Sequence, residues 1–238
     1  MTDDQEPAFQ RARRPEQREA RRRAILDAAE TLLGEMPVAE VSLRELSRRV
    51  GLSKSNVVRY FETREAVFFE LLNQLLHEWL EELEEELPPP AATTGRPVPP
   101  ALLVDTWARS VAGRPLICEL WSSLGTVLER NISAESVRAF KLANAEQQQR
   151  LARLVSERVP ELDQDAAREL VAISVLLIAG LWPFANPSPS VTEAVQDPRL
   201  ARSRVDFAER LGRAMLLTIT GLLADPGREK HGRGAGPY

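Results

Sequence analysis

Hydrophobic positions recur along this chain at intervals of three and four residues, the spacing of one face of an α-helix. Ile25, Ala28 and Leu32 show this spacing near the N-terminus, and similar patterns continue to residue 223. No segment has the alternation expected of a β-strand, and the abundant Ala, Leu, Glu and Arg all favour helix. The pattern therefore predicts an all-α protein.

Capping signals set the limits of the N-terminal helices. Ser42 and Glu45 have the spacing of a capping box, in which the serine accepts from the Glu45 amide and the glutamate reaches back. Gly51 suits the left-handed position that ends a helix, and Ser53 and Thr63 suit N-caps. The nine predicted helices lie near residues 15–33, 43–50, 54–60, 64–87, 101–112, 115–130, 134–158, 164–181 and 204–223.

Changes in composition divide the chain into segments. The stretch 87–100, LPPPAATTGRPVPP, has six prolines and is predicted to be a long loop, and 183–198 an irregular insertion. The predicted organisation is a disordered arm (1–14), an N-terminal helical domain (15–62), a larger C-terminal helical domain (63–226) and a flexible tail (227–238).

The charge is distributed unevenly around a net value of −4. Residues 11–23 hold seven Arg and two Glu, whereas residues 65–90 hold eight Glu and neither Lys nor Arg. A basic segment of this kind is typical either of a solvated tail or of an arm that contacts nucleic acid. The polar N-terminus is unlike a signal peptide, and the single cysteine, Cys118, fits a reducing cytoplasm, where we expect the protein to act. The apolar run 170–186 is interpreted as a buried helix and not as a membrane span, so no membrane partner is expected.

The second and third predicted helices, joined by Gly51-Leu52-Ser53, form a helix-turn-helix pattern. Val57 and Phe61 are spaced to face inward, which leaves polar side chains outward on the third helix. Such a helix fits the major groove of DNA, where Asn pairs with adenine, and Arg or Lys contacts guanine or phosphate. The alternative is a short polar surface helix in an ordinary helical protein. The candidate DNA-binding residues are Ser42, Arg44, Ser53, Lys54, Ser55, Asn56, Arg59, Tyr60 and Arg64.

The stretch from residue 25 to residue 72 resembles the DNA-binding domain of the TetR family of bacterial transcriptional repressors. The resemblance rests on the segments AILDAAETLL, SLRELSRRV, GLS, KSNVVRYF and TREAVFFELL. Val58 departs from it, since the family usually has a tyrosine there near a phosphate. Arg64 replaces the usual lysine and would keep a phosphate-binding charge.

The resemblance implies a repressor that binds a palindromic operator in double-stranded DNA as a homodimer. It further implies that a small-molecule effector enters the C-terminal domain, moves the fourth helix and releases the DNA. A mostly apolar or aromatic effector is expected, since the bulky C-terminal aromatics could line a cavity. Each of these aromatics could equally be an ordinary core residue. The candidate ligand-binding residues are Trp107, Trp121, Phe140, Trp182 and Phe184.

The apolar run LVAISVLLIAGL, at 170–181, lacks a polar stripe, so we expect one of its faces to need a partner. Together with the last helix it predicts a four-helix dimer interface. The candidate interface residues are Ser174, Leu177, Leu181, Leu211 and Met215.

An enzyme is not expected. The two histidines, His77 and His231, have no metal or nucleophile partner at a usable spacing, and no phosphate-binding glycine loop is present in the sequence. No catalytic residue, metal site or cofactor is predicted. Three interpretations stay open: a ligand-responsive repressor, a DNA-binding regulator controlled by a partner protein, and a helical small-molecule-binding protein with a vestigial helix-turn-helix.

Overall fold

The computed structural model describes the backbone of residues 6–130 and 132–224, and side chains from Pro15 onward. All regular structure in these residues is helical, which confirms the all-α prediction. The α-helices are α1 (Glu6–Glu35), α2 (Leu43–Val50), α3 (Lys54–Val58), α4 (Arg64–Glu86), α5 (Ala91–Thr94), α6 (Pro100–Ala112), α7 (Pro115–Ser123), α8 (Ala134–Arg158), α9 (Gln164–Ala185), α10 (Pro189–Ala194) and α11 (Phe207–Ala224).

Several limits differ from the sequence expectations. Helix α1 begins at Glu6 and contains Pro15 in its interior, because the Ala, Arg and Gln residues around the proline are strong helix formers. The helical backbone therefore extends into the arm expected to be disordered, whose residues 1–5 lie outside the described chain. The expected tail, 227–238, lies outside it as well.

Short helices also occupy segments expected to be irregular. Helix α5 interrupts the proline-rich stretch. In the expected insertion, 183–198, α9 continues to Ala185 and α10 follows, and a 3₁₀ helix at Pro198–Ser203 begins where the insertion ends. After α7 the chain turns into a π-helix at Leu124–Leu128, where the Glu129 amide donates to the Leu124 carbonyl at 3.0 Å. The predicted helix 115–130 is thus two elements of different pitch.

The described chain forms two compact units. The first contains the residues up to Leu75 together with Ser123–Ala143, and the second contains Leu76–Ser122 together with the residues from Asn144 onward. The division falls within α4 and α8, so each of these helices contributes to both units. The domain limits proposed from the sequence, 15–62 and 63–226, remain a prediction.

The first unit buries apolar residues from α1 to α4 around Ile25, Leu46 and Phe68, none of which has exposed surface. Helix α8 joins this core through Phe140, whose ring stacks on Phe69 at a centroid distance of 4.2 Å. Burial of these aromatic rings fixes the N-terminal part of α8 against α4 within the unit.

In the second unit α11 packs against both α6 and α9. Gly212 lies against α6, where a Cβ at this position would be in ordinary van der Waals contact with the Ala108 Cβ, at 3.5 Å.

A buried arginine organises the C-terminal ends of α4 and α8. Arg158 is 2% exposed, and its guanidinium donates to the carbonyls of Pro88 at 2.7 Å and Leu154 at 3.1 Å. Burial lowers the pKa of Arg158. The acidic run at the end of α4 is also paired, because Arg150 donates to Glu84 at 3.0 Å and Arg114 contacts Glu82. These cations offset the unfavourable placement of carboxylates at a helix C-terminus.

Helix α9 is long and apolar enough to cross a membrane by length and composition. One of its faces, with Leu170, Ser174 and Ile178, is buried in the second unit. The opposite face leaves Leu176 72% exposed, so the expected burial of all its faces is met on one side only within the described residues.

Candidate nucleic-acid interface

Local capping bonds build the turn between α2 and α3. The Ser42 hydroxyl accepts from the Glu45 amide at 3.2 Å, and the Ser53 hydroxyl accepts from the Asn56 amide at 3.2 Å. Gly51, at φ 69°, closes α2 in a Schellman motif, in which the Leu52 amide donates to the Ser47 carbonyl at 3.0 Å. Only one half of the predicted capping box forms, because the Glu45 carboxylate contacts Arg48.

Helix α3 presents the polar surface that the sequence predicted. Val57 is fully buried and fixes the rotation of the helix about its axis. Lys54, Ser55, Asn56 and Arg59 are exposed along with the cap Ser53, while Tyr60 is partly buried. On α2 and its cap, Arg44 and Ser42 are exposed too.

Helix α1 adds basic residues to this surface. Arg18 and Arg21 line a cleft of about 750 Å³ together with Asn56, Arg59 and Tyr60 of the helix-turn-helix. The two arginines were not among the candidate site residues, although the excess of arginine at 11–23 was the signal that could have found them. The cleft is concave and basic, which suits a phosphate backbone next to a recognition helix.

The basic residues described between Pro15 and Tyr60 fall into two groups. Arg48 and Arg49 are paired, and the hydrogen bond from Arg49 to Glu35, at 3.0 Å, lowers the pKa of that carboxyl. A second group of basic side chains has no ion-pair partner among the described residues and is exposed to solvent: Arg18, Arg21, Arg44, Lys54 and Arg59. This second group is available to an anionic partner.

Arg22 has a structural role within the first unit. It donates to the Tyr60 carbonyl at 3.0 Å, pairs with Glu70 and lies over the Phe61 ring at 4.5 Å. Burial raises the pKa of Glu70, against the lowering effect of the Arg22 charge. The arginine therefore ties α1 to the end of the helix-turn-helix and to α4.

Arg64 makes several hydrogen bonds within the first unit, and its proposed phosphate contact stays a prediction. Its guanidinium donates to the carbonyls of Val41 at 2.6 Å and Ala39 at 3.0 Å, and to Glu65 at 2.8 Å. These bonds clamp the connection between α1 and α2. No local pattern predicts them, because the carbonyls lie more than twenty residues away in the chain.

The five candidate ligand-binding aromatics are not all in one place. Trp107 and Trp121 line one small cavity of the second unit, and Phe140 belongs to the first unit. Trp182 donates to Glu119 at 3.1 Å and meets the Phe207 ring edge-on, so both it and Glu119 are engaged within the fold. Phe184 is 72% exposed, which does not fit a place in an enclosed pocket.

The candidate dimer residues also differ in how far they are buried. Ser174, Leu211 and Met215 have no exposed surface within the protomer and are core residues, since α11 packs on α6 and α9 with this face. Leu177 and Leu181 are partly exposed. The exposed apolar side chains of α9 and α11 are instead Leu176, Phe184, Leu217 and Leu223.

Cys118 and His77 lie in different environments. Cys118 is fully buried, and desolvation raises the pKa of its thiol to about 12, so the unreactive thiol form persists at neutral pH. His77 is exposed and 3.3 Å from Glu81. Among the described residues no cluster of His, Cys, Asp or Glu could hold a metal ion.

Comparison with known proteins gives matches over nearly all of the described chain. Residues 25–71 match the family described as bacterial regulatory proteins, tetR family, and residues 73–226 match the tetracyclin repressor-like C-terminal domain. A TetR transcriptional regulator from Rhodococcus sp. RHA1 has a similar structure, with a TM-score of 0.55 and 20% sequence identity. The matched region covers 86% of this chain and 99% of that protein.

Two further similar proteins have more specific descriptions. One is the FadR repressor of Thermus thermophilus, solved in complex with lauroyl-CoA, with a TM-score of 0.55 and 20% sequence identity. The matched region covers 91% of this chain and 100% of that protein. The regulator EthR of Mycobacterium tuberculosis is 36% identical over 55 residues, which are 23% of this chain and 26% of that protein. The chain thus matches about a quarter of the length of this curated relative.

Proposed function

Because this chain belongs to the TetR family of bacterial transcriptional regulators, we propose that it is a repressor that binds an operator as a homodimer and dissociates when a small molecule binds. The observation that carries the DNA-binding part is the cleft shared by α1 and α3. It combines Asn56, which can pair with adenine, with the exposed arginines Arg18, Arg21 and Arg59. We place the regulator in the cytoplasm, where its DNA is.

The homodimer is supported by the exposed apolar side chains of α9 and α11. Leu176 and Phe184 are each 72% exposed and Leu217 is 63% exposed, on two helices that pack together. Large apolar side chains grouped on one surface favour association. A two-fold dimer would present two recognition helices to a palindromic site, with half-sites about one DNA turn or a multiple apart.

The effector part rests on the family and on the cavity lined by Trp107 and Trp121. A ligand can release DNA only if it binds the two conformations of the protein with different affinity.

Selection of duplexes from a random pool by the full-length protein would test this function. We expect a palindromic operator, and Asn56→Ala should cost about 1–3 kcal/mol on it. This loss should vanish on an operator changed at the one base pair that Asn56 contacts. An equal loss on every duplex would contradict a base-reading role for Asn56.

The dimer and the effector are tested separately. Light scattering should show a dimer without DNA, and Leu176→Glu should convert it to a monomer that remains folded. A wild-type monomer at micromolar concentration would remove the argument for a palindrome. Operator binding that no small molecule relieves would favour control by a partner protein.

A further inference from the structure

The four tryptophans of the chain differ in how their indole nitrogens are satisfied. Trp79 Nε1 donates to the Ser110 hydroxyl at 3.1 Å, and Trp182 Nε1 donates to Glu119 at 3.1 Å. Trp107 Nε1 and Trp121 Nε1 are buried and have no hydrogen-bond partner among the described residues. An indole N–H is only a donor, so neither group can be satisfied by another donor or by a change of tautomer.

The two unsatisfied tryptophans line the same cavity of the second unit. A third donor belongs to this cavity, since Asn144 also lines it and its Nδ2 is buried without a partner. The Asn144 Oδ1 accepts from the Gln148 Nε2 at 2.7 Å. Three unpartnered donors on residues that line one cavity are unusual, because buried polar groups nearly always have a hydrogen-bond partner.

The rest of the lining is uncharged. All twelve lining residues are described, and none of them is Asp, Glu, Lys, Arg or His. Leu80, Leu151 and Ile178 are among its apolar members, and each is buried. An ionic group brought into this cavity would lose its hydration without gaining a counter-charge, so the lining disfavours charged ligands.

The cavity is small in this conformation, with a volume of about 10 Å³. A space of this size accommodates at most about one water molecule. A larger ligand therefore needs the cavity to widen. Gln147 and Gln148, which are partly exposed, and Val175 are the lining residues with access to solvent.

We propose that the ligand of this cavity is a neutral, mostly apolar molecule whose hydrogen-bond acceptor, such as a ketone, ester or amide oxygen, is bound by the indole N–H groups of Trp107 and Trp121. This inference specifies the chemistry of the effector and so rests on the function proposed above. The acceptor satisfies donors that the fold leaves unpaired, while the apolar remainder lies against the aliphatic lining.

Three small probes of similar size separate the possible chemistries. Acetophenone has a carbonyl acceptor, ethylbenzene has none, and benzoate has a charge. Titration of each into the full-length protein without DNA, followed by calorimetry, should show acetophenone binding about tenfold more tightly than ethylbenzene, since one satisfied buried bond is worth about that factor. Benzoate should bind more weakly than both.

The indole resonances of ¹⁵N-labelled protein give an independent measurement. Acetophenone should shift two of the four Nε1–H resonances downfield, those lost in Trp107→Phe and Trp121→Phe, and leave that of Trp182 in place. Trp79→Phe is the matched control, because Trp79 lines the same cavity but already has a partner in Ser110. The acceptor preference should fall in Trp107→Phe and Trp121→Phe and persist in Trp79→Phe.

Equal affinity for acetophenone and ethylbenzene, preferential binding of benzoate, or failure of all three probes to bind at millimolar concentration would overturn the proposal. Operator release is measured separately, so the two levels of inference can fail independently. Preferential acetophenone binding without any effect on operator affinity would leave the ligand chemistry intact and contradict the effector role.

Discussion

In the first unit several cations lack an ion-pair partner within the described chain but are exposed to water, whereas in the second unit two tryptophan N–H groups lack a partner and are buried. Arg18, Arg21 and Arg59 are exposed cations, and water can accept hydrogen bonds from their guanidinium groups in the absence of an anion. Trp107 and Trp121 hold buried N–H groups that have no such substitute. The first arrangement costs little stability, whereas the second costs stability until an acceptor arrives.

The difference predicts how each unit would recognise its proposed partner. Exposed cations attract any phosphate backbone, so sequence discrimination would be left to a few side chains such as Asn56. A closed apolar cavity admits few molecules and discriminates by the acceptor that its donors require. Mutations should therefore separate the two units, with changes in stability confined to buried groups and changes in salt dependence confined to exposed ones.

The largest expected effect on stability is at Arg158, a buried polar group whose donors are satisfied. Arg158→Ala removes the donors to the Pro88 and Leu154 carbonyls and should lower the free energy of unfolding by about 3 kcal/mol. Arg153→Ala, at an exposed position of the same helix, is the control and should change it by less than about 0.5 kcal/mol. Urea unfolding measures both, and equal effects would contradict the distinction between buried and exposed groups.

Arg64 tests whether a cation of the first unit can behave like a buried group. Arg64→Ala should lower the free energy of unfolding by about 2 kcal/mol, because it releases the carbonyls between α1 and α2. The salt dependence of DNA binding should not change. Arg44→Ala, which removes an exposed and unpaired cation, should have the opposite profile. Unchanged stability with a reduced salt slope for Arg64→Ala would support the phosphate contact first predicted.

The arginines of α1 should affect DNA binding alone. Arg18→Ala and Arg21→Ala should each weaken binding to all duplexes and reduce the slope of log K against log salt by about 0.9. Arg109→Ala is a matched control, as this exposed arginine lies in the second unit and pairs with Asp105 at 3.1 Å. A slope that stays constant in both α1 variants would place the DNA away from the cleft.

Interactions between residues close together in the chain could be predicted from the sequence, whereas those between residues far apart in the chain could not. The caps at Ser42 and Ser53 were predictable because donor and acceptor are three residues apart, and so were the outward residues of α3. The roles of Arg22 and Arg158 were not, since their partners lie 38 and 70 residues away.

Helix rotation limits what the sequence predicts in the second unit. Periodicity places Leu176 and Leu177 on neighbouring parts of α9, and only tertiary packing decides that Leu176 is exposed and Leu177 partly exposed. The same limit applies to the aromatics, because composition could mark Trp107 and Trp182 as candidates but not show that only the former lacks a partner.

The smallest expected effect compares two tryptophans of one cavity. Trp79 and Trp121 are both buried, line the same space and meet edge-on at 6.0 Å, so Phe at either position removes a similar volume. Trp79→Phe also loses the hydrogen bond to Ser110, whereas Trp121→Phe removes a donor that has no partner. Trp79→Phe should therefore be the more destabilising by about 1 kcal/mol in urea unfolding without ligand. If Trp121→Phe lowered the free energy of unfolding more than Trp79→Phe, the Trp121 N–H would already have an acceptor in the ligand-free protein. The cavity would then not contain an unsatisfied donor at Trp121.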